Sequence, residues 1–549
     1  MERKKYIIVG GVAGGASFAC RLRRLDENAD IVIYEKSNFV SYANCGLPYY
    51  LSKTIANPSS LTLQTPASLK ARFNIDVHVN SEVIGIDREK HLVKVKSLVD
   101  GTVKTDCYDK LILSPGAEAI KLTENAENVF ELKAVEDSLR LRRYIEEKKP
   151  RKAAVIGGGF IGVEAAENLV ESGLEVTLIE GKDHVLANFD LDMASFIHNE
   201  LLSHKVNLLL STKVESIERK QSNVIIHTDK GDIEAELLIQ AIGVRPANQL
   251  AASCSLSTEI RGCIKTGSNF QTDDPDIFAI GDAIALDSFI DGTRMNLALA
   301  GVANKEGREL ASYLGNIGKS EVRPLGTSII KVFGLTAGAI GFTEGQLEQK
   351  GIAYDKVYLS PFNHASYYPG ASLLYIKLLF GKGDYAILGA QIVGGEGVDK
   401  RIDVLSVAMR NKMKAYELKE LELSYAPPFG SAKDPINMIG YMVENIKNGL
   451  VEQFYAEDIL KLQKDPNCLL VDVRSEGEYA LGHIEGSINI PIDELRLHLG
   501  ELPKDKKICL ICLSAVRSYI GCRILNQRGF KSAHLAGGYR FYKAFAGDK

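Results

Sequence analysis

The stretch Ala153-Ala154-Val155-Ile156-Gly157-Gly158-Gly159-Phe160-Ile161-Gly162 joins a short apolar run to a glycine-rich turn. The apolar run predicts a buried strand over 153–156, and the residues after the turn predict a helix to about residue 172. A second strand is expected over 175–179 and ends at Glu180. A strand, a glycine turn, a helix and a strand make the βαβ unit of a dinucleotide-binding half-sheet.

The turn matches the dinucleotide fingerprint G-x-G-x-x-G without gaps. Gly157 permits the tight turn, Gly159 lets the backbone approach a pyrophosphate, and Gly162 lets the helix pack closely on the strand. The free N–H groups at the helix start then hold the pyrophosphate. Glu180 can accept the ribose hydroxyls, and its charge would repel a 2′-phosphate. We therefore expect NADH, with NADPH still possible because Lys182 follows closely.

The same plan appears at residues 6–36, with a strand over 6–9 and a helix over about 16–25. The turn between them is Gly10-Gly11-Val12-Ala13-Gly14-Gly15, so Val12 replaces the middle glycine and Gly14 is additional. Glu35 ends the next strand and repeats the ribose-binding arrangement. The chain is therefore predicted to contain two dinucleotide sites.

Length and composition limit the class of protein. The chain has 549 residues, which suggests three or four domains. Its formal net charge is −4 and it has no long basic run, so nucleic-acid and membrane partners are not expected. No apolar stretch approaches the roughly 20 residues of a membrane span. The nine cysteines lack the spacing of a disulfide framework, which favours a reducing, cytoplasmic compartment. No group of potential ligands has the spacing of a metal site, so no metal is expected.

A third motif, Thr-Asp-Asp-Pro-Asp-Ile-Phe-Ala-Ile-Gly-Asp at 272–282, is long and specific. It resembles the second FAD motif of the pyridine nucleotide-disulfide reductases, and residues 241–246 resemble the segment that leaves their NAD domain. The motifs stand in the order typical of that family over residues 1–325. The resemblance implies hydride transfer from NADH to FAD and electron transfer from FAD to sulfur.

The resemblance also implies which residues surround each cofactor. For FAD they are Gly10, Val12, Ala13, Gly14, Glu35, Lys36, Val83, Ser114, Pro115, Gly116, Gly281, Asp282 and Ala300, with Asp282 at the ribityl chain. For NADH they are Gly157, Gly159, Phe160, Ile161, Gly162, Glu180 and Gly243.

A single cysteine, Cys45, stands where two-cysteine members of the family carry a Cys-x4-Cys pair. The segment is Ser41-Tyr42-Ala43-Asn44-Cys45-Gly46-Leu47-Pro48-Tyr49-Tyr50, so Tyr50 replaces the second cysteine. One thiol must then cycle as a mixed disulfide or as a sulfenate. Gly46 and Pro48 suit the first turn of a helix, which would lower the pKa of Cys45. The alternative is a buried structural cysteine.

Residues 41–49 are similar to the active-site segment of coenzyme A-disulfide reductases and their persulfide-reductase relatives. Residues 364–371 and 425–435 resemble dimerisation-domain motifs of that subfamily. The resemblance implies a homodimer in which Tyr367 and Tyr425 of one subunit approach the redox thiol of the other, where a phenol can protonate a leaving thiolate. The alternative is that both are ordinary interface aromatics.

Coenzyme A requires cations for its 3′-phosphate and diphosphate. By resemblance, the expected substrate-binding residues are Ser17, Arg21, Arg24, Ser41, Asn44, Arg72, Asn304, Arg308 and Lys433. The alternative for each cation is a solvated surface position.

Residues 456–549 contain Leu-Val-Asp-Val-Arg at 470–474, a second motif at 482–491 and the loop Cys512-Leu513-Ser514-Ala515-Val516-Arg517-Ser518. This order resembles the single-domain rhodaneses, and the resemblance implies that Cys512 carries a persulfide. A loop that curls from a strand at 507–511 into a helix points backbone N–H groups at one thiolate, and Arg517 adds a fixed charge. Ala515 stands where many rhodaneses have glycine. The alternative is an inactive domain used only for docking.

The predicted fold class is α/β, with two Rossmann-like dinucleotide-binding domains, an α+β dimerisation domain and a C-terminal rhodanese-like α/β domain. We expect an FAD-binding domain at 1–118 and 243–325, an NAD(P)H-binding domain at 119–242, a dimerisation domain at 326–447 and the rhodanese-like domain at 456–549.

The expected function is NAD(P)H-dependent reduction of coenzyme A disulfide, coenzyme A persulfide or polysulfide at Cys45, coupled to sulfane sulfur transfer at Cys512. One alternative is an NADH oxidase or peroxidase that cycles Cys45 through a sulfenate. Another is a redox-sensing sulfur-carrier flavoprotein. A turnover number far below ~1 per second with every sulfur substrate would favour the sensor.

Overall fold

The computed structural model describes residues 3–318 and 321–546. The outer ends of the first and last predicted domains, residues 1–2 and 547–549, lie outside the described residues. The chain forms two compact units, one of Met1–Lys182 with Lys205–Leu325 and one of Asp183–His204 with Gly326–Lys549. The short segment Asp183–His204 therefore groups with the second unit, although by sequence it falls within the predicted NAD(P)H-binding domain.

The first unit has its strands and helices in three groups along the chain. The first group is β1 (Lys5–Val9), α1 (Ala13–Arg23), β2 (Asp30–Tyr34), α2 (Leu47–Leu51), α3 (Pro66–Phe73), β3 (Asp76–His78), β4 (Ser81–Asp87), β5 (Leu92–Ser97), β6 (Val103–Cys107), β7 (Lys110–Leu113) and β8 (Ala117–Ala119). The second is β9 (Val129–Phe130), α4 (Val135–Lys148), β10 (Lys152–Ile156), α5 (Phe160–Glu171), β11 (Glu175–Ile179), then, after α6 (Leu191–Ser203) of the other unit, β12 (Asn207–Leu209), β13 (Val214–Arg219), β14 (Val224–Thr228), β15 (Gly231–Ala235) and β16 (Leu237–Gln240). The third is β17 (Val244–Pro246), α7 (Gln249–Ser253), β18 (Ile277–Ala279), β19 (Leu286–Asp287), β20 (Arg294–Met295) and α8 (Ala300–Leu314).

Two parallel sheets organise the first unit. One has the strand order β18-β7-β1-β2-β3 and the other β12-β11-β10-β16-β9. Strands β1 and β10 each occupy the centre of their sheet and lead directly into a glycine turn and a helix. Ligands bind in such folds at the carboxyl ends of the strands where the order reverses. The two predicted Rossmann-like sheets are thus confirmed.

The second unit contains an antiparallel sheet and a parallel sheet. Its remaining elements are β21 (Ser328–Val332), β22 (Leu335–Gly341), α9 (Glu344–Lys350), β23 (Tyr354–Leu359), β24 (Leu374–Gly381), β25 (Ile387–Gly394), α10 (Val398–Arg410), α11 (Pro435–Lys447), β26 (Gln453–Phe454), α12 (Ile459–Leu462), β27 (Cys468–Asp472), α13 (Glu476–Ala480), β28 (Ile488–Asn489), β29 (Lys507–Ile511), α14 (Val516–Asn526), β30 (Lys531–Leu535) and α15 (Gly538–Ala546). The sheet orders are β21-β22-β25-β24-β23 and β26-β30-β29-β27-β28. These match the predicted α+β and α/β domains.

The parallel sheet of the second unit begins earlier than the predicted domain start at residue 456. Strand β26 pairs with β30 in parallel, with Phe454 opposite Leu535. Two residues are too few to show a strand in the sequence pattern alone. The sheet itself therefore includes residues 453–454.

An aromatic cluster attaches the last helix to the rest of the second unit. The ring of Phe541 in α15 lies 5.3 Å from Phe196, 5.1 Å from Tyr358 and 5.7 Å from Tyr375, measured between centroids. Phe196 and Tyr375 also stack on each other at 3.9 Å. Such pairs contribute beyond the area they bury. The parallel sheet of this unit is therefore packed onto α6 and the antiparallel sheet in part through this aromatic cluster.

A buried lysine lies among three acids in the same unit. The Lys377 side chain is 0% exposed, and its ammonium lies 2.9 Å from Asp190 and 2.9 Å from Asp192 and contacts Glu344. The three carboxylates come within 4.8 Å of one another. The Lys377 ammonium supplies the positive charge that this acidic cluster requires. The acids come from the start of α6 and from α9, so the cluster joins distant parts of the sequence.

No helix in the described ranges is both long enough and apolar enough to cross a membrane.

Candidate functional site

The turn after β10 shows a physical reason for each of the three fingerprint glycines. Gly157 has φ +106°, and a Cβ there would lie 2.3 Å from the Ala241 carbonyl oxygen. A Cβ on Gly162 would lie 1.8 Å from the Gly157 oxygen, which fits close packing of α5 on the strand. Beside Gly159 nothing lies within 4 Å, so the backbone is open on that side. An open backbone at the start of α5 fits a dinucleotide pyrophosphate.

The Glu180 carboxylate is held beside that turn. It accepts hydrogen bonds from the backbone N–H groups of Gly158 at 2.6 Å and Lys182 at 2.8 Å. Two backbone donors fix its position at the end of β11. This is the placement expected for an acid that binds ribose hydroxyls.

The turn after β1 repeats this construction with one exchange. Gly10 has φ +93°, and a Cβ there would lie 2.1 Å from the Ser114 oxygen. Gly15 takes the close-packing position, since its Cβ would lie 2.0 Å from the Gly10 oxygen. Glu35 accepts from the Gly11 N–H at 2.8 Å, as Glu180 does in the other turn. The site therefore fits a second dinucleotide such as FAD, although Val12 replaces the middle glycine.

The structure brings some of the predicted FAD residues together and leaves others apart. A Cβ on Gly14 would lie 3.0 Å from the Ser114 hydroxyl, and one on Gly281 would lie 3.6 Å from it. Ala13 and Ala300 begin α1 and α8. Val83 lies in the separate sheet β4-β5-β6. The remaining FAD positions, Lys36, Pro115 and Gly116, lie in loops at strand ends, as does Gly243 of the predicted NADH set.

Two charged residues near the Gly-Asp motif were missed by the sequence analysis. The Lys133 ammonium lies 3.7 Å from the Asp282 carboxylate. Glu306 is 2% exposed and accepts a hydrogen bond from the Gly281 N–H, and burial raises its pKa to about 7. Neither residue belongs to a recognisable sequence motif. Lys133, just before α4, and Glu306, in α8, come close to the Gly-Asp motif only when the chain folds.

Cys45 lies in a 3₁₀ turn, Asn44–Gly46, just before the five-residue helix α2. Its side chain is exposed, with the Asn44 side-chain oxygen 4.0 Å from the sulfur. Partial desolvation, then Glu164 and Asp282, raise the pKa of the thiol, and Lys133 opposes them. The lowered pKa that the sequence predicts for Cys45 is therefore wrong for this structure, because desolvation and the charges of two carboxylates outweigh the effect of Lys133.

Glu164 is a further residue near Cys45 that the sequence did not reveal as part of the site. The Tyr49 hydroxyl donates to its carboxylate at 3.2 Å, and burial raises the pKa of Glu164 to about 7. Glu164 lies in α5, directly after the dinucleotide turn. Its charge is one of those that raise the pKa of Cys45, and an acid titrating near neutrality is typical of functional sites.

A surface cavity of about 280 Å³ gathers most of the predicted substrate-binding residues. Its lining includes Ser17, Arg21, Arg24, Ser41, Asn304 and Arg308. The buried Nε of Arg21 has no hydrogen-bond partner among the described residues. Three guanidinium groups around one cavity favour a phosphorylated ligand. Arg72 lies in α3, and Lys433 is exposed in the second unit.

The two predicted tyrosines lie together in the second unit. Their hydroxyl oxygens are 3.2 Å apart, and the residues are 74% exposed at Tyr367 and 49% exposed at Tyr425. Phe429 is also 71% exposed. Exposed aromatic side chains of this size are typical of interaction surfaces.

Cys512 directly follows β29 and is fully buried in the loop that leads to α14. Its sulfur lies 3.2 Å from the Ser518 hydroxyl, a contact that the loop sequence did not predict. Ala515 adopts φ +67°, the left-handed conformation that glycine would take without strain. A Cβ on Gly538 would lie 2.6 Å from the Cys512 carbonyl oxygen, so this glycine lets the loop close.

Arg517 forms an ion pair with an acid, Glu478. Both of its terminal nitrogens donate to Glu478, at 2.7 Å each. A bidentate pair fixes the plane of the guanidinium. Glu478, in α13, is therefore a further candidate residue beside this loop.

Comparison with known proteins places the whole chain. Residues 4–307, just over half of it, match the family described as pyridine nucleotide-disulphide oxidoreductase. The chain belongs to that family. Residues 327–434 of this pyridine nucleotide-disulphide oxidoreductase match the dimerisation domain of the family, and residues 455–544 match the rhodanese-like domain.

Several relatives of this oxidoreductase are known. A coenzyme A disulfide reductase from Staphylococcus haemolyticus is 34% identical over 444 residues, which is 81% of this chain and 100% of that protein. The crystal structure of reduced Bacillus anthracis CoADR-RHD is 42% identical with a TM-score of 0.97, covering 99% of this chain and 98% of that one. A NAD-dependent persulfide reductase from A. fulgidus is 34% identical with a TM-score of 0.91, covering 98% and 99%.

Replacing Glu164 with glutamine in this oxidoreductase is expected to lower the pKa of Cys45, because the carboxylate is one of the charges that raise it. Glu164 ionises only above its own pKa of about 7, so the difference from wild type grows as the pH rises past that value. The rate of iodoacetamide reaction with Cys45, followed against pH, measures the shift. Glu171→Gln on the exposed side of α5 is the matched control. Coincident profiles for Glu164→Gln and wild type would contradict the expectation.

Proposed function

We propose that this protein uses NADH to reduce sulfur–sulfur bonds in coenzyme A disulfide, coenzyme A persulfide or polysulfide, through Cys45, and transfers sulfane sulfur at Cys512. The observation that carries the proposal is the arginine-lined cavity. Ser41, which lines it, is four residues before Cys45 in the chain. The cavity could therefore bind the phosphates of coenzyme A while the reacting sulfur lies near Cys45. The names of two relatives, a coenzyme A disulfide reductase and a NAD-dependent persulfide reductase, agree with disulfide and persulfide substrates.

The chemistry assigned to Cys45 follows from its having no second cysteine. Its thiolate attacks the substrate disulfide, forms a mixed disulfide and releases one thiolate. With coenzyme A persulfide the released species is hydrosulfide, and the mixed disulfide holds coenzyme A. FAD, when bound, supplies the two electrons that return the mixed disulfide to two thiols. The neighbouring Glu164 carboxylate can take or return the thiol proton near neutral pH.

The leaving thiolate needs a proton donor. We assign this role to Tyr367 and Tyr425 of the partner subunit in a homodimer, and the proposal includes that assembly. Their hydroxyls form an exposed pair that can share one proton. The match of residues 327–434 to a dimerisation domain supports the dimer. Lys433 is a further substrate contact in the proposal, near the same motif in sequence.

The rhodanese-like domain would supply the sulfur. In the proposal Cys512 accepts sulfane sulfur from a donor and passes it to coenzyme A, and Cys45 then acts on the resulting persulfide. Holding both steps on one chain raises the local concentration of the intermediate. The buried Cys512 sulfur beside Ser518 and the start of α14 suits an anionic persulfide.

The deciding experiment compares anaerobic NADH consumption by purified protein with coenzyme A disulfide, coenzyme A persulfide and polysulfide. Rapid turnover with the persulfide, and loss of turnover with sulfane donors in Cys512→Ser, are expected. Faster turnover with oxygen or peroxide than with all three sulfur substrates would overturn the proposal in favour of an oxidase. Unchanged rates with every sulfane donor in Cys512→Ser would overturn the relay alone.

Replacing Glu180 with glutamine is expected to shift nucleotide preference towards NADPH. The carboxylate at the end of β11 repels a 2′-phosphate, and the amide keeps its shape without the charge. The ratio of kcat/KM for NADH to that for NADPH should fall about tenfold, or ~1.4 kcal/mol. Steady-state rates with both nucleotides measure it. Glu175→Gln, at the exposed start of β11, should keep the wild-type ratio. A similar fall of the ratio in Glu175→Gln would contradict the role assigned to the Glu180 charge.

A further inference from the structure

Two cysteines of the rhodanese-like domain meet across its central strands. The sulfur of Cys468, the first residue of β27, lies 3.0 Å from the sulfur of Cys509 in β29. The two residues are 41 positions apart in sequence. Leu470 pairs directly with Cys509, so Cys468 lies diagonally across from it on the same face of the sheet. The two cysteines therefore come together only on folding, and no sequence motif marks them as a pair.

This thiol pair is separate from the sulfur-transfer loop. Successive side chains of a strand alternate between the faces of a sheet, so Cys509 and Cys512 point to opposite faces. Cys509 packs in one apolar cluster with Leu470 and Ile511, and Cys512 packs in the other with Leu510. Cys509 therefore has Cys468 as its sulfur partner.

The two thiols differ in their access and in their ease of ionisation. Cys468 is partly exposed, whereas Cys509 is fully buried. The sulfur–sulfur contact with Cys509 lowers the pKa of Cys468, with a smaller contribution from Lys507, and the same contact raises the pKa of Cys509. The accessible thiol is thus the better nucleophile, and the buried thiol is placed to resolve an adduct on it. That division is typical of oxidisable cysteine pairs.

We propose that Cys468 and Cys509 form a second redox site, which small organic disulfides oxidise to an intramolecular disulfide. In the first step the Cys468 thiolate attacks the disulfide RSSR, forms Cys468–S–S–R and releases one thiolate, which takes up the Cys468 proton. In the second step Cys509 attacks the Cys468 sulfur, and the second RS⁻ leaves with the Cys509 proton. The protein loses two protons and two electrons, and RSSR gains them to become two RSH.

Forming the bond requires the backbone to move as well as the sulfurs. The two-residue offset across neighbouring strands places the two Cα atoms roughly 8 Å apart, beyond the ~7 Å that a disulfide spans without backbone movement. The sulfurs must approach from 3.0 Å to the ~2.05 Å of a disulfide bond. Cys468 enters β27 from a turn in which its N–H donates to the Asp465 carbonyl at 3.1 Å. A shift there falls on the end of the strand. The site uses neither Cys45 nor Cys512, so the inference is independent of the proposed function.

The test is a thiol map of the full-length, FAD-loaded protein. The protein is exposed anaerobically to 2-hydroxyethyl disulfide, quenched in acid, denatured, alkylated and digested with trypsin. The expected product joins peptides 465–474 and 508–517 and is two hydrogens lighter than their sum. Because the second peptide also contains Cys512, fragmentation of the linked product and a Cys512→Ser sample assign the bond. Cys107, which is exposed, reports how far oxidation has gone.

The variants separate this site from general oxidation. Cys468→Ser should lose the linked product, and Cys509→Ala should stop at the mixed disulfide on Cys468. Cys522→Ala, which changes another buried thiol of the same domain, should retain the link. The proposal is overturned if Cys107 is fully converted while Cys468 and Cys509 both remain alkylated. It is equally overturned if wild-type Cys468 holds only the mixed disulfide. Both of these outcomes are read on wild-type protein, so a variant that fails to fold leaves the test intact.

Discussion

The Cys45→Ser variant is expected to lose NADH-dependent reduction of every sulfur substrate, with kcat falling by at least about a thousandfold. A serine hydroxyl cannot form the mixed disulfide on which the proposed reaction depends, and no second cysteine stands at residue 50 to replace it. Anaerobic NADH consumption with coenzyme A disulfide and coenzyme A persulfide measures the loss. The FAD content should stay at the wild-type level, because the side chain removed is small and exposed.

The control for this variant is Cys107→Ser, since Cys107 is exposed at the end of β6. Its thiol, like that of Cys45, is exposed to solvent, and the Cys107→Ser variant should reduce each sulfur substrate at the wild-type rate. Sulfur transfer at Cys512 should persist in both variants. If Cys45→Ser keeps more than a small fraction of its activity, the nucleophile lies elsewhere and the role of Cys45 is wrong.

Replacing Lys377 with methionine is expected to lower the free energy of unfolding by about 3–5 kcal/mol. The change leaves Asp190, Asp192 and Glu344 close together without the buried ammonium that balances them. Thermal unfolding at neutral pH, followed by circular dichroism, measures the loss in the transition that includes the second unit. Lys382→Met, at an exposed loop position, is the matched control and should leave that transition unchanged.

The pH dependence of the same variant has a definite sign. Burial alone would raise the pKa of Glu344, but Lys377 and Lys356 lower it to about 2. A depressed carboxyl pKa contributes stability above the unfolded value of ~4.3, and that stability is lost as the pH falls towards 2. Wild type should therefore lose stability steeply over this range, and Lys377→Met much less. Parallel curves for the two proteins would contradict the assigned ion pairs.

Local sequence patterns predicted the parts of the fold that are built from neighbouring residues. The expected strand at 175–179 has the bounds observed for β11, and the strand at 507–511 has those of β29. Helix α1 begins at Ala13, before the expected residue 16, because the turn glycines themselves enter the helix. Gly15 can do so only because it carries no Cβ against the Gly10 oxygen.

What the sequence did not reveal depends on contacts between distant segments. Glu164 reaches Cys45 only after the two parallel sheets are assembled, and its helix carries a signal for a different role. The Cys468–Cys509 contact likewise has no spacing rule, because parallel strands pair across long crossovers. The raised pKa of Cys45 could not be predicted for the same reason, since the two carboxylates that raise it, Glu164 and Asp282, come from distant parts of the sequence.

The Phe541 contact has a consequence for the last domain. The Staphylococcus haemolyticus relative aligns over 444 residues, which is its entire length and 81% of this chain. A chain of that length that kept Phe196, Tyr358 and Tyr375 would present bare aromatic surface to water. Removing the last domain from this chain would likewise uncover the sides of those three rings that Phe541 now contacts. The last domain is therefore coupled to the rest of the second unit through these contacts rather than simply appended to it.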